Sequence, residues 1–600
     1  MIVGVETMRS HVTKRFFALS LALAAAVTSQ GAGLADPLLR LTPPDAGITL
    51  AIEDLRGHTQ EYLASPLAGR LARLPFVRSW MDSPQVASFQ AARRQIETVL
   101  GTTLKNVRDE LLGDAVVLTL WVPPQGKQEE ARGMLLIRAR DRKLLGRLIE
   151  GINDSQTKKG ELLRIVERTR NGISYQVREF APQAKRPAEY YTTLADQTFA
   201  WSNSEELVQG VIDRSKGTEQ GLSDVPGFRQ VRERLPQRCL LSLFVNPRFL
   251  EMQIAASPKP AKPLDERLAV MLSRYVDALE YIGCAIELRG ASSDRGAGII
   301  LHTEEGINPD KLPLWMKRWA ARPSIDPPLD RVPNSALGVA SAHIDFEALE
   351  DVLRSMTPSS GQRRLDNLLL GLSGVMLGRD LRTEILPKLG PAVFAYLATT
   401  VDSGQGQGFS YVLSVALKGE PGKNGVAAAL ENGLRTFFAL YALDEKHDHG
   451  QLEVESREIQ GVSITALSPT SPFAFAFGQG RLVIGGIAEA VAGAIHSEAS
   501  TNRRFSQLRA TYFPQAETFL CIDLEKVRTF AESHRTAIAR RLALRNEKTV
   551  ENAQRELDLA LALMGEFRDL FVTSVITPDA RSAHRMLGLI APTESPAKLP

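Results

Sequence analysis

Cysteine is almost missing from this chain, with three in 600 residues. So few exclude a disulfide-stapled framework. Charge of one sign is missing too. Lys and Arg number 72 against 69 Asp and Glu, a net +3, and that balance leaves no electrostatic footprint for nucleic acid. Long hydrophobic runs are scarce. Beyond Ala35 the longest, around Leu368 to Leu377, contains Ser373 and falls short of the roughly twenty residues a bilayer requires, so no transmembrane segment is expected in the mature chain. No catalytic constellation stands out. The nine histidines are scattered, and Gly371-Leu372-Ser373-Gly374 lacks both the spacing and the preceding strand of a nucleophile elbow.

What is present begins with a targeting segment. Arg9, Lys14 and Arg15 precede an apolar run from Phe16 to Val27, and small residues end at Gly33-Leu34-Ala35. This reads as a secretory signal peptide over residues 1–35, cleaved after Ala35, and predicts a periplasmic or extracellular protein. Met8 is as good a start as Met1. A lipid anchor would need Cys directly after the cleavage site, where Asp36 stands.

The main feature of the remainder is a pattern written twice. Leu100-Gly101 and Gly113-Asp114-Ala115-Val116 recur as Leu377-Gly378 and Gly390-Pro391-Ala392-Val393, and Phe228, Gln230 and Arg232 recur as Phe505, Gln507 and Arg509. The offset is 277 residues each time (113 to 390, 228 to 505). Each half reads as a strand, helices closing on the Leu-Gly pair, a strand hairpin, a helix, and a second hairpin. That second hairpin turns at Asn171-Gly172 or at Gln460-Gly461. The predicted fold class is therefore α+β, two tandem repeats, each a mostly antiparallel sheet packed with helices. The predicted limits are 36–305 for the first repeat, 306–332 for a proline-rich linker, 333–592 for the second repeat and 593–600 for a tail. Gly101, Gly113, Gly378 and Gly390 are expected where helices hand over to strands, positions that need backbone freedom. The three cysteines read as buried strand residues.

This order of elements resembles an uncharacterised exported bacterial family, catalogued as domain of unknown function 3352. The likeness rests on Leu100-Gly101, Leu111 to Val116, Asn171-Gly172-Ile173, the strand and helix around Trp201 to Val211, and Phe228 to Leu235. It covers the first half well and the second more loosely. The resemblance implies no known activity and brings no functional residue with it.

Four local features invite chemistry. Asp444, His447, Asp448 and His449 are residue types that suit Zn²⁺. They fall in a stretch also readable as a solvated polar loop before the strand at Leu452, the reading preferred here, with Asp154 to Lys159 as its counterpart. Gly404 to Gly408 lacks the following Lys-Ser/Thr and helix of a phosphate loop and reads as a hairpin turn. Lys311 to Trp319 mixes tryptophan and base as membrane-interface segments do, against a simpler reading as a linker turn packing its tryptophans on the first half. Arg540, Arg541 and Arg545 lie on a long helix predicted from Leu524, which either meets a partner or packs on the second sheet. No cofactor is expected. The leading functional expectation is a non-enzymatic exported protein that binds an envelope or extracellular protein or assembly. The alternatives are a carrier of an apolar ligand or lipid, and an unrecognised hydrolase.

Overall fold

The computed structural model describes residues 33–123, 130–256, 263–289, 297–321, 326–357, 359–402, 406–418, 425–445, 453–468, 473–496, 503–516 and 518–592. Local chemistry sets many of its elements. Asn171 and Gly172 take φ of 49° and 75°, the paired positive values of a type I′ turn, and Gln460 and Gly461 repeat them at 54° and 77°. Asp141 caps the helix Arg142–Lys158 by accepting from the N–H groups of Lys143 and Leu144, both at 2.9 Å.

Twenty strands result among the described residues. Those of the first half are β1 Ile48–Glu53, β2 Ala115–Trp121, β3 Arg132–Arg138, β4 Leu162–Arg170 and β5 Ile173–Phe180. They continue with β6 Glu189–Thr193, β7 Thr198–Ser202, β8 Leu241–Val245, β9 Leu279–Arg289 and β10 Gly298–Ile307. Next come β11 Ala336–His343, β12 Leu389–Asp402, β13 Gly406–Leu417, β14 Glu453–Ile459 and β15 Val462–Ser468. The last are β16 Ala474–Gly478, β17 Arg481–Gly485, β18 Thr518–Asp523, β19 Asp569–Ile576 and β20 Ser582–Ile590.

All pairings among them are antiparallel and join the strands into one ladder. From one edge to its middle the order is β4-β5-β6-β7-β3-β2-β1-β8-β9-β10. It continues from β20 as β20-β19-β18-β11-β12-β13-β17-β16-β15-β14. The sequence predicts two separate sheets; the structure has one. The junction is β10 against β20, in register from Gly298–Ile590 to Gly306–Ser582. Each of these strands would otherwise leave its outer backbone groups unpaired, and the pairing satisfies both edges at once.

One face of the ladder is covered by helices. Ala51, Val117, Leu136, Ala200 and Phe244 lie under Leu38 and Leu39 of the helix Asp36–Leu41, Val208 and Val211 of Glu205–Ser215, and Phe228 and Val231 of Pro226–Arg234. In the second half Val339, Tyr396, Val412, Phe519 and Phe571 lie under Val491 and Ile495 of Ala488–His496 and Phe505 and Leu508 of Arg504–Tyr512. Ile300 of β10 and Ile590 of β20 belong to that same cluster, which carries the core across the junction.

Several local expectations are corrected. The chain from Asp154 to Lys158 continues the helix Arg142–Lys158, and Asp444 lies in the helix Val426–Glu445, so neither begins a loop. The helices run on through these polar residues, which a helix end tolerates. The described residues of the proline-rich segment include regular structure: the helix Leu314–Ala320 starts directly after Pro313, where a proline costs no helical hydrogen bond, and Leu312, Ala320, Leu329 and Val332 are buried. The long helix expected from Leu524 divides at His534 into Leu524–Ser533 and Arg535–Arg545. Cys239 is buried but precedes β8, whereas Cys284 and Cys521 are strand residues. Gly101 and Gly378 have positive φ as helix ends require, at 60° and 74°. Gly113 and Gly390 do not; a Cβ at Gly113 would stand 2.2 Å from the Asp109 carbonyl oxygen, and one at Gly390 2.6 Å from the Ala416 Cβ.

Candidate functional site

Side chains alternate along a strand, so the face opposite the covered one is also specified. There the cross-strand registers line up Ile52, Leu241, Ile286, Leu301, Leu587, Val572, Leu520, Ala340, Ala395 and Leu413 as one row. None of these ten is buried. At the centre Leu301, Leu587, Val572 and Leu520 are 38–41% exposed, although their neighbours Ile300, Gly588, Phe571 and Cys521 on the other face are buried. A second apolar row, Ile299, Leu589, Leu570 and Ile522, runs beside it. Among the described residues helices cover the flanks of this face: Arg142–Lys158 packs Leu144 and Leu145 near Ile137 and Phe199, and Phe530 of Leu524–Ser533 lies against Phe409 with ring centroids 4.1 Å apart.

The next row on the same face turns polar, with Thr303, Arg585, Ser574 and Thr518 side by side. Beyond it the junction strands end at a cavity of about 360 Å³. The tryptophans singled out in the sequence are here. Trp315 and Trp319, with ring centroids 6.4 Å apart, form one wall with Met316; Met271, Leu272 and Tyr275 come from the helix Pro263–Ala278, and Ile576, Ala580 and Arg585 from the end of the second half. The tryptophans thus touch a space shared by both halves, not the first half alone. Tyr275 donates to Glu305, Arg585 pairs with the same carboxylate, and the Arg585 Nη2 stands 3.5 Å from the Tyr275 hydroxyl. Burial, with the neighbouring Glu305 carboxylate, pushes the Tyr275 phenol up to about 12, so it remains a donor.

On the covered face the same junction carries a polar cluster. His302 Nε2 lies 2.8 Å from Glu287, His584 Nδ1 2.9 Å from Glu304, and the two imidazoles are 5.6 Å apart; Arg234 reaches Glu304 at 3.1 Å. Burial pushes the Glu287 carboxyl up, but hydrogen bonds from His302 and Arg289 outweigh it and hold the group down at about 2. This network ties the halves together. Sequence reading missed it because its histidines are far apart in the chain and meet only through the β10–β20 register.

A second cavity, of about 850 Å³, lies at the strand ends of the first half among Trp121, Tyr190, Phe249, Glu205 and Arg132. Among the described residues the remaining sequence candidates do not line either cavity. His447, Asp448 and His449 lie outside the described residues, as do residues 403–405 of the glycine-rich turn, and among the described residues no group of three His, Cys, Asp or Glu is placed to hold a metal ion. Ser373 lies in the helix Ser359–Val375, its hydroxyl donating to the Leu369 carbonyl at 3.1 Å. Arg535–Arg545 and Val550–Met564 pack on each other through Ala539, Leu557 and Leu561. No described helix is long and apolar enough to cross a membrane.

No protein-family model matches the sequence. No curated protein matches it either. Among solved structures, crystal form IV of TP0453 is similar over 45% of this chain and 79% of its own at 11% identity and a TM-score of 0.23. Crystal form III covers 50% and 90% at 12% identity and a TM-score of 0.24. Likeness at that level carries no argument about fold or function.

Proposed function

We propose that this is an exported, non-enzymatic binding protein whose occupant is an apolar ligand laid on the uncovered face of the sheet. The observation that carries the reading is the row from Ile52 to Leu413. At its centre Leu301, Leu587, Val572 and Leu520, neighbours on four adjacent strands, are 38–41% exposed, and apolar surface left in water is costly, at about 25 cal/mol for each Å². Contiguous exposed patches of this kind mark binding surfaces.

The duplication belongs to the proposal as well. The ten strands of the first half and the ten of the second follow one order outward from the junction, β10 answering to β20 and β4 to β14, in support of two tandem repeats. So does the export signal. Ala35 is buried and its N–H donates to Glu53 Oε2 at 3.2 Å, so cleavage after it would have to precede folding.

The test is lipid extraction and mass spectrometry of the protein purified without detergent from its native envelope. Bound lipid in the wild type, lost from a Leu301→Lys/Leu520→Lys variant that keeps its melting temperature, supports the reading. A stoichiometric protein partner captured through the same face, with no lipid, replaces it with the assembly role.

A further inference from the structure

The cavity at the end of the junction differs from the open rows beside it. It is walled on several sides, by the helices Pro263–Ala278 and Leu314–Ala320 and by the ends of β10, β19 and β20. Its volume, about 360 Å³, sits at the low end of the roughly 300–1,000 Å³ of small-ligand sites, which suits one chain and not a two-chain lipid. Its walls are apolar except at Tyr275 and Arg585. Both oxygens of Glu305 are already engaged, Oε2 by Tyr275 and Oε1 by Arg585. A guanidinium has five N–H donors in a fixed fork, so Arg585 keeps donors beyond those directed at Glu305 and Tyr275. Arg585 is also the single cation lining the cavity among the described residues. A ligand whose tail lies against Trp315, Trp319 and Met271 therefore places its polar end at a hydrogen-bond-donating cation.

We propose that this cavity is a binding site for a single-chain fatty acid, with the alkyl tail between the tryptophans and Met271 and the carboxylate accepting from Arg585. It rests on the reading of the protein as a binder of apolar ligands and names the ligand class for one end of that face. Arg585 lies two residues along β20 from Leu587 of the exposed row, so cavity and row share one face and are separated only by the polar row.

The test uses ω-bromoundecanoate, whose bromine quenches tryptophan on contact, and the whole mature protein. Saturable quenching is expected, and Trp315→Phe/Trp319→Phe should abolish it while leaving the other three of the five tryptophans unquenched. Ile576 is partly exposed, so Ile576→Glu should fold and weaken binding by about tenfold or more through a carboxylate set against the ligand. Arg585→Gln should weaken the acid by about tenfold and leave the ω-bromo alcohol unchanged. Leu520→Lys, on the distant part of the row, should leave the quenching intact. Binding that survives Ile576→Glu, or quenching that survives loss of both tryptophans, overturns the site while leaving the apolar-ligand reading standing. Equal loss of acid and alcohol in Arg585→Gln overturns the carboxylate assignment. Quenching as expected, in a protein that carries no native lipid or that keeps its lipid in Leu301→Lys/Leu520→Lys, overturns the wider reading and keeps the site.

Discussion

The covered face of the junction carries a polar cluster, and Glu287 shows how strongly its members interact. Its carboxyl titrates near 2 in the folded protein, below an ordinary value of 4.5. A depressed carboxylate stabilises the fold above its unfolded pKa, and the contribution is lost as pH falls from about 4.5 through about 2. Glu287→Gln should therefore cost roughly 3 kcal/mol at neutral pH. Urea titrations of wild type and variant across that range check it; the gap closes toward pH 2. Nothing in the sequence marked this residue. It occupies a strand whose partner His302 is recognisable only once β9 and β10 are paired. Of the clustered Asp444, His447, Asp448 and His449 only Asp444 lies among the described residues.

At the scale of elements the chain is far more legible. Turn pairs with positive φ, an Asp cap and the left-handed glycines act within a few residues of themselves, so Asn171-Gly172, Asp141 and Gly101 announce their elements directly. Asp141→Ala should lower stability by about 1 kcal/mol, because two N–H groups of the first turn lose their acceptor. Chemical denaturation measures it, with Lys143→Ala as a control that leaves the cap in place. Where element reading went astray, long-range packing was the cause. The proline segment keeps a helix because its prolines flank Leu314–Ala320 and because Leu312 and Ala320 bury against the first half's helices. Gly390 is held by close approach of Ala416 on the neighbouring strand, a contact no local pattern reveals, whereas Gly113 is held by the Asp109 carbonyl four residues before it.

At the scale of the molecule, one ladder makes one cooperative unit. Calorimetry should show a single thermal transition for the wild type. Met586→Pro removes a backbone donor from the middle of β20, between His302 of β10 and Thr573 of β19, and should lower the melting temperature and separate two transitions. A single unshifted transition would show that the halves are coupled through something other than the β10–β20 register. The sequence by itself determined the α+β class, the strand hairpins and most helices, because capping, turn chemistry and apolar periodicity operate over a few neighbouring residues. Tertiary structure alone decided that the halves share one sheet, that an apolar row lies exposed at its centre, and that Trp315, Tyr275 and Arg585 surround one cavity. Edge-to-edge register and the coverage of a face depend on segments hundreds of residues apart, and no local preference encodes them.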